Sequence, residues 1–111
     1  MFVVMNRFNV NAGKEDAFEA GWRGRETHLQ EFEGFRAFAL LRNDAGSRDG
    51  VTEFISHTIW RSREDFDAWR SSEQFTRAHA SGGSVEGILA GPPQASTYEA
   101  VLEEANAGVV L

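Results

Sequence analysis

Three residues of this 111-residue chain have types and positions that could do chemistry: Asn6, Trp69 and His79. Asn6 is the polar exception in an alternating segment whose same-face neighbours are Phe2, Val4, Phe8 and Val10. A side-chain amide buried without partners costs about 1–3 kcal/mol. Asn6 therefore either bonds a neighbouring backbone group or offers its NH2 to a ligand. His79 follows Phe75 by one helical turn, near the end of an amphipathic segment. A neutral imidazole there can present one nitrogen to a metal, or can be an ordinary surface or core histidine. Trp69 lies three residues after Phe66, so the two face the same way on a helix and suit either a core or a flat pocket wall.

Other chemistries find little support. His28 sits among Glu26, Gln30 and Glu31 and reads as solvated on the first helix, while His57 lies on a strand between Ser56 and Thr58. No two histidines have the spacing of a metal-binding pair. Cysteine is absent, which removes disulfides, thiol catalysis, iron–sulfur clusters and thiolate-ligated haem together. Gly82, Gly83 and Gly87 lack the Lys-Ser/Thr that completes a phosphate loop. The net charge of -6 argues against nucleic-acid binding, which depends on neutralising phosphates, and against a polybasic membrane surface. The start of the chain, Met1-Phe-Val-Val-Met-Asn-Arg7, has no basic leader and no long apolar run. The expectation is a chain without signal peptide or membrane span, in the cytoplasm.

The elements that must position these residues follow from periodicity. Phe2 to Val10 alternates and reads as a strand. Asn11-Ala-Gly13 breaks it, and Phe18, Trp22, Leu29 and Phe32 then form one stripe, which predicts a helix from Lys14 that stops at Gly34. Phe35 to Arg42 and Val51 to Trp60 read as strands joined by the turn-rich Asn43–Gly50. Ser62-Arg-Glu-Asp65 resembles a capping box opening a helix through Trp69, and Ser71-Ser-Glu-Gln74 offers a second N-cap before Phe75, Ala78 and His79. Trp22 and Trp60 read as core. Ala80 to Gly91 has the composition of a flexible loop and no Lys or Arg, Gln94 to Glu103 reads as the last strand, and the tail from Ala105 is of small residues and expected to fray.

The order β-α-β-β-α-β predicts the ferredoxin-like split β-α-β fold, an α+β arrangement with helices on one face of an antiparallel sheet. One domain over 1–104 and a tail over 105–111 are expected. Strand faces apolar on both sides, such as Phe2/Val4/Phe8 against Val3/Met5, imply a homodimer packed sheet to sheet as an α+β barrel.

Local spellings add a resemblance. Met5-Asn-Arg-Phe8, Glu33-Gly-Phe35, Thr58-Ile-Trp-Arg-Ser62 leading into Phe66-x-x-Trp69, and Ser72-Glu-Gln-Phe75 followed by Ala78-His79 together resemble the antibiotic-biosynthesis-monooxygenase-like proteins. Within them they are similar to the branch of IsdG-type, non-canonical haem-degrading monooxygenases. The resemblance runs from about Phe2 to Leu102.

The resemblance implies that His79 matches the proximal ligand of haem iron and that Asn6 matches the distal hydrogen-bonding residue. Trp69 would match the bulky side chain that presses the porphyrin out of plane. Arg25 falls where relatives place a basic residue near the haem propionates, beside Arg23. Haem would then be both cofactor and substrate, opened to a linear tetrapyrrole with release of iron. O2 would be the co-substrate, and electrons would come from an external reductase, since the chain carries no flavin, nicotinamide or iron–sulfur motif. Two other functions fit the same residues: a cofactor-independent monooxygenase acting on an aromatic or quinol substrate, and a haem-storage or haem-transfer protein without turnover.

Overall fold

The structure is a computed structural model that describes residues 1–80 and 87–109, with the backbone alone at Ala80. Strands β1 (Phe2–Asn11), β2 (Phe35–Arg42), β3 (Val51–Trp60) and β4 (Gln94–Glu99) alternate with helices α1 (Glu15–Arg23), α2 (Arg63–Arg70) and α3 (Glu73–Ala80). The strands form one antiparallel sheet in the order β2-β3-β1-β4. This is the ferredoxin-like order, with β1 and β3 in the middle. Asn6 pairs with Ser56 and Phe2 with Trp60. Because directly opposed residues point to the same side, Phe2, Val4, Asn6, Phe8 and Val10 share a face with Thr52, Phe54, Ser56, Thr58 and Trp60.

That face carries the core, in two clusters. Val10 and Phe54 pack against Phe18 of α1, and Phe2, Val4, Leu29 and Trp60 pack with Phe66 and Trp69 of α2. Trp60 and Val10 have no exposed surface at all. Between the clusters, Asn6 and Phe8 are only half-buried, so the core thins in mid-sheet.

The first helix is shorter than its stripe predicts. It ends at Arg23, and Gly24 caps it by donating to the Ala20 carbonyl. The chain then turns through His28, in the left-handed conformation (φ 60°), into one turn of 3-10 helix at Leu29–Glu31. Phe18 and Leu29 therefore serve different clusters. The polar run Arg23-Gly-Arg-Glu-Thr27 offers no apolar contact to hold a straight helix over the sheet. Gly34 does not stop a helix. It lies at the entrance to β2, where an added Cβ would collide with the Asp65 side chain, and its carbonyl accepts from the Arg61 N–H at 2.8 Å.

Both helix starts are capped, one of them a residue later than expected. The Asp65 N–H donates to Ser62 Oγ at 3.2 Å, as the capping-box spelling predicts. At α3 the cap is Ser72, whose Oγ accepts from the Phe75 N–H at 3.1 Å. The last strand stops at Glu99 rather than Glu103 because β1, its partner among the described residues, begins at Phe2. Beyond it, the Ala100 N–H still reaches the Met1 carbonyl at 2.9 Å, and the amino terminus pairs with Glu103 at 2.8 Å.

Of the loop expected from Ala80 to Gly91, residues 81–86 lie outside the described residues, as do 110 and 111 of the tail. Ile88–Ala90 returns alongside the end of β1, where Asn11 N donates to Ile88 O and Ala90 N to Asn9 O, both at 2.8 Å. Among the described residues, no helix is long and apolar enough to cross a membrane.

Candidate functional site

The gap in mid-sheet is a cavity. It has a volume of about 340 Å³, with β1, β3 and β4 as its floor and the 22–29 segment, α2 and α3 as its walls. Asn6, Trp69, His79 and Arg25, separated by up to 73 positions in sequence, all line it. A shallower depression of about 420 Å³ lies over the 25–31 turn, but its wall is Glu26, His28, Glu31 and other polar groups at the surface. It lacks the apolar lining that holds a drug-sized or cofactor-sized ligand.

Asn6 is on the cavity floor. Its Nδ2 donates to Ser56 Oγ, directly across the β1–β3 ladder, at 3.3 Å. One amide N–H and the side-chain carbonyl have no partner among the described residues. The amide is therefore held by one hydrogen bond and keeps donor and acceptor capacity for something in the cavity. Ser56 is nearly buried and lines the same floor with Thr58. Neither was singled out in the sequence, although their polarity on the Phe54/Trp60 face is the same signal that marks Asn6.

Trp69 is both core and wall. It is nine-tenths buried and touches Trp60 (centroids 5.6 Å), Phe66 (6.4 Å) and, edge-on, Phe75 (4.7 Å). Its indole Nε1 is buried with no hydrogen-bond partner among the described residues. A buried N–H left unpaired costs about 1–3 kcal/mol unless a ligand or water meets it. Trp22 packs on the core as expected but is a cavity wall as well. It is half-buried, stacks on Phe38 at 5.5 Å and lines the cavity.

His79 sits in the last turn of α3, exposed at the cavity mouth. Its ring lies 3.9 Å from that of Phe75 and 6.1 Å from that of Trp69, centroid to centroid. His79 Nδ1 is 2.8 Å from the Phe75 carbonyl one turn earlier. A carbonyl only accepts, so Nδ1 carries the proton. In the neutral ring, Nε2 then has the free lone pair. A backbone acceptor behind Nδ1 is the usual way a ligating imidazole is oriented and made more basic.

Arg25 is not on the first helix, as its sequence suggested. It follows the Gly24 cap, half-buried, with its guanidinium 4.5 Å from the centre of the Trp22 ring and Nε donating to the Ala78 carbonyl at 3.2 Å. Burial lowers its pKa. His28 also leaves the helix, and its Nδ1 meets Glu31 at 2.7 Å. His57 lies on the opposite, helix-free face of the sheet, in register with Met5. No group of three or more His, Cys, Asp or Glu among the described residues could hold a bare metal ion.

An aromatic-walled cavity with one oriented imidazole and one partly uncommitted amide thus sits on a ferredoxin-like scaffold. The sequence matches the family described as "Antibiotic biosynthesis monooxygenase" over residues 1–81, and the chain belongs to that family. A heme oxygenase (staphylobilin-producing) of Staphylococcus epidermidis is 31% identical over 88 residues, covering 78% of this chain and 80% of that protein. An antibiotic biosynthesis monooxygenase structure from Bacillus cereus superposes with a TM-score of 0.73 at 23% identity, over 95% of this chain and 97% of that one. The structure of the heme-degrader MhuD from Mycobacterium tuberculosis, with two hemes in its active site, superposes with a TM-score of 0.69 at 26% identity, over 95% of this chain and all of that one. The resemblance to the haem-degrading branch is thus borne out by relatives in both sequence and structure.

Proposed function

We propose that this protein is a haem-degrading monooxygenase that binds haem in the 340 Å³ cavity as both cofactor and substrate and opens the porphyrin to a linear tetrapyrrole, releasing iron. The observation that carries the reading is the 2.8 Å contact between His79 Nδ1 and the Phe75 carbonyl. A backbone carbonyl fixes the proton on Nδ1 and leaves Nε2 able to ligate iron at the mouth of an aromatic-walled slot. The residues present fit the group in two further respects. The cavity walls include Trp22, Phe38, Phe66 and Phe75, and the half-buried Asn6 amide retains an unused N–H. Haem, when bound, supplies the redox chemistry, with O2 as co-substrate and electrons from an external reductase.

The chain's own residues bind, orient and exclude water. His79 would hold the iron through Nε2. Asn6 offers its free N–H on the sheet side, held in place by Ser56. Trp69 packs against Trp60, Phe66 and Phe75, and that support would let it press on a flat ligand. Arg25, on the cavity wall, would meet a propionate.

Titration of the purified protein with haemin tests this reading. Wild type should give a shifted Soret band that bleaches under O2 and a reductant with catalase present. His79→Ala should lose the wild-type ferric spectrum and most of the bleaching. A His79→Ala spectrum identical to wild type would exclude ligation by that residue, and stable haem under turnover conditions would exclude the activity.

A further inference from the structure

The charge lining the cavity is opposite in sign to that of the whole chain. The protein has 17 Asp and Glu against 11 Lys and Arg. Yet among the described residues the cavity lining contains no carboxylate and two arginines, Arg25 and Arg70. Arg25 is occupied with a carbonyl and an aromatic face, neither of which neutralises it. Arg70 is the last residue of α2 and is exposed at the cavity rim.

Two acidic residues lie three positions from Arg70: Asp67, one turn earlier on α2, and Glu73, the first residue of α3. Both are taken. Asp67 lies 3.9 Å from Arg63, and Glu73 lies 3.3 Å from Arg77. Arg70 has no hydrogen bond or ion pair among the described residues. Its guanidinium is an unspent cation at the mouth of an apolar slot, with five N–H donors suited to a carboxylate.

We propose that Arg70 is a carboxylate-anchoring residue of this cavity, so that the site selects flat apolar ligands bearing carboxylates over their neutral esters. The inference rests on the reading of the cavity as the ligand site. Applied to haem, it makes Arg70 a propionate partner additional to Arg25. The selection is a difference between acid and ester, because an apolar slot alone would favour the ester.

The test uses two ligand pairs and the variant Arg70→Gln. One pair is haemin and its dimethyl ester, followed by the Soret band. The other is pyrenebutyrate and its methyl ester, followed by quenching of tryptophan fluorescence. In wild type each acid should bind more tightly than its ester. Arg70→Gln should weaken both acids by about fivefold or more and leave the esters unchanged. Arg70→Lys should recover part of the loss, and Arg48→Gln, which removes the same charge from the β2–β3 hairpin, should change nothing.

Unchanged acid affinity in Arg70→Gln overturns the proposal, as does an equal loss for acid and ester, which would report packing. Absence of any acid preference in wild type overturns it too. If wild type fails to bind haemin but prefers pyrenebutyrate to its ester, and Arg70→Gln abolishes that preference, the haem reading falls while the carboxylate anchor stands.

Discussion

At the scale of single residues, Asn6 shows how a half-satisfied polar group differs from a structural one. Its bond to Ser56 fixes the amide without exhausting it. Asn6→Leu keeps the volume and removes the donor. On the proposed function it should leave haemin affinity within a fewfold of wild type and slow bleaching by about tenfold or more, since a preorganised donor acts on developing charge rather than on ground-state binding. The same change strands the nearly buried Ser56 hydroxyl, at a cost of about 1 kcal/mol. Bleaching rates and a urea midpoint, measured on one preparation, separate the two effects. Equal bleaching by Asn6→Leu and wild type would remove Asn6 from the chemistry.

At the scale of elements, the site depends on how α2 and α3 start. Ser62 and Asp65 cap α2 reciprocally. The Asp65 N–H donates to Ser62 Oγ at 3.2 Å, and the Ser62 hydroxyl donates to Asp65 Oδ2 at 2.8 Å. Arg61 closes a two-pronged pair on the same carboxylate at 2.8 and 2.9 Å. The hydrogen bond from Arg61, followed by that from Ser62, holds the Asp65 carboxyl below its ordinary pKa. A carboxyl lowered in the folded state stabilises fully above its unfolded pKa, and the contribution is lost as pH falls through the folded one. Asp65→Asn should therefore destabilise at pH 7, with the gap to wild type closing as the medium is acidified below the ordinary carboxylate range. Denaturant midpoints from pH 7 to pH 2 follow this. A gap that stayed constant would mean that Asp65 acts by packing alone. Trp69 is carried on α2 itself, so the same series should track any drift in cavity binding.

At the scale of the whole molecule, the sheet has a second face with no helix on it. Val3, Met5, Ile55, His57 and Ile59 lie there in register, and Tyr98 and Leu41 at its flanks are about half exposed. An apolar sheet face of this extent ordinarily packs on another sheet. The expectation of a homodimer remains a proposal resting on that face. Ile59→Lys, near the end of β3 and on the face away from the cavity, should convert a dimer of wild type to a monomer in sedimentation velocity. A wild-type protein that is monomeric at tens of micromolar would refute the sheet-to-sheet arrangement.

The fold was legible in the sequence because strand alternation and turn chemistry are local. Phe2–Val10, Phe35–Arg42 and Val51–Trp60 carry period-two patterns, and Ser62–Asp65 spells its own cap. The fold class and the candidate residues could be read there, the residues with help from family spellings. Tertiary structure decided what periodicity cannot express. It broke the Phe18–Phe32 stripe at Gly24, because two separate clusters, not one straight helix, bury those side chains. It cut the last strand to the length of its partner. It moved Arg25 off a helix and onto the cavity wall, and revealed that Trp22 is wall as well as core. It also oriented His79 through a carbonyl that any residue at position 75 would possess. Sequence determines which groups are available and which segments bury them. Which lone pair, amide or cation remains uncommitted depends on partners distant along the chain, and only the packed molecule brings those partners within reach.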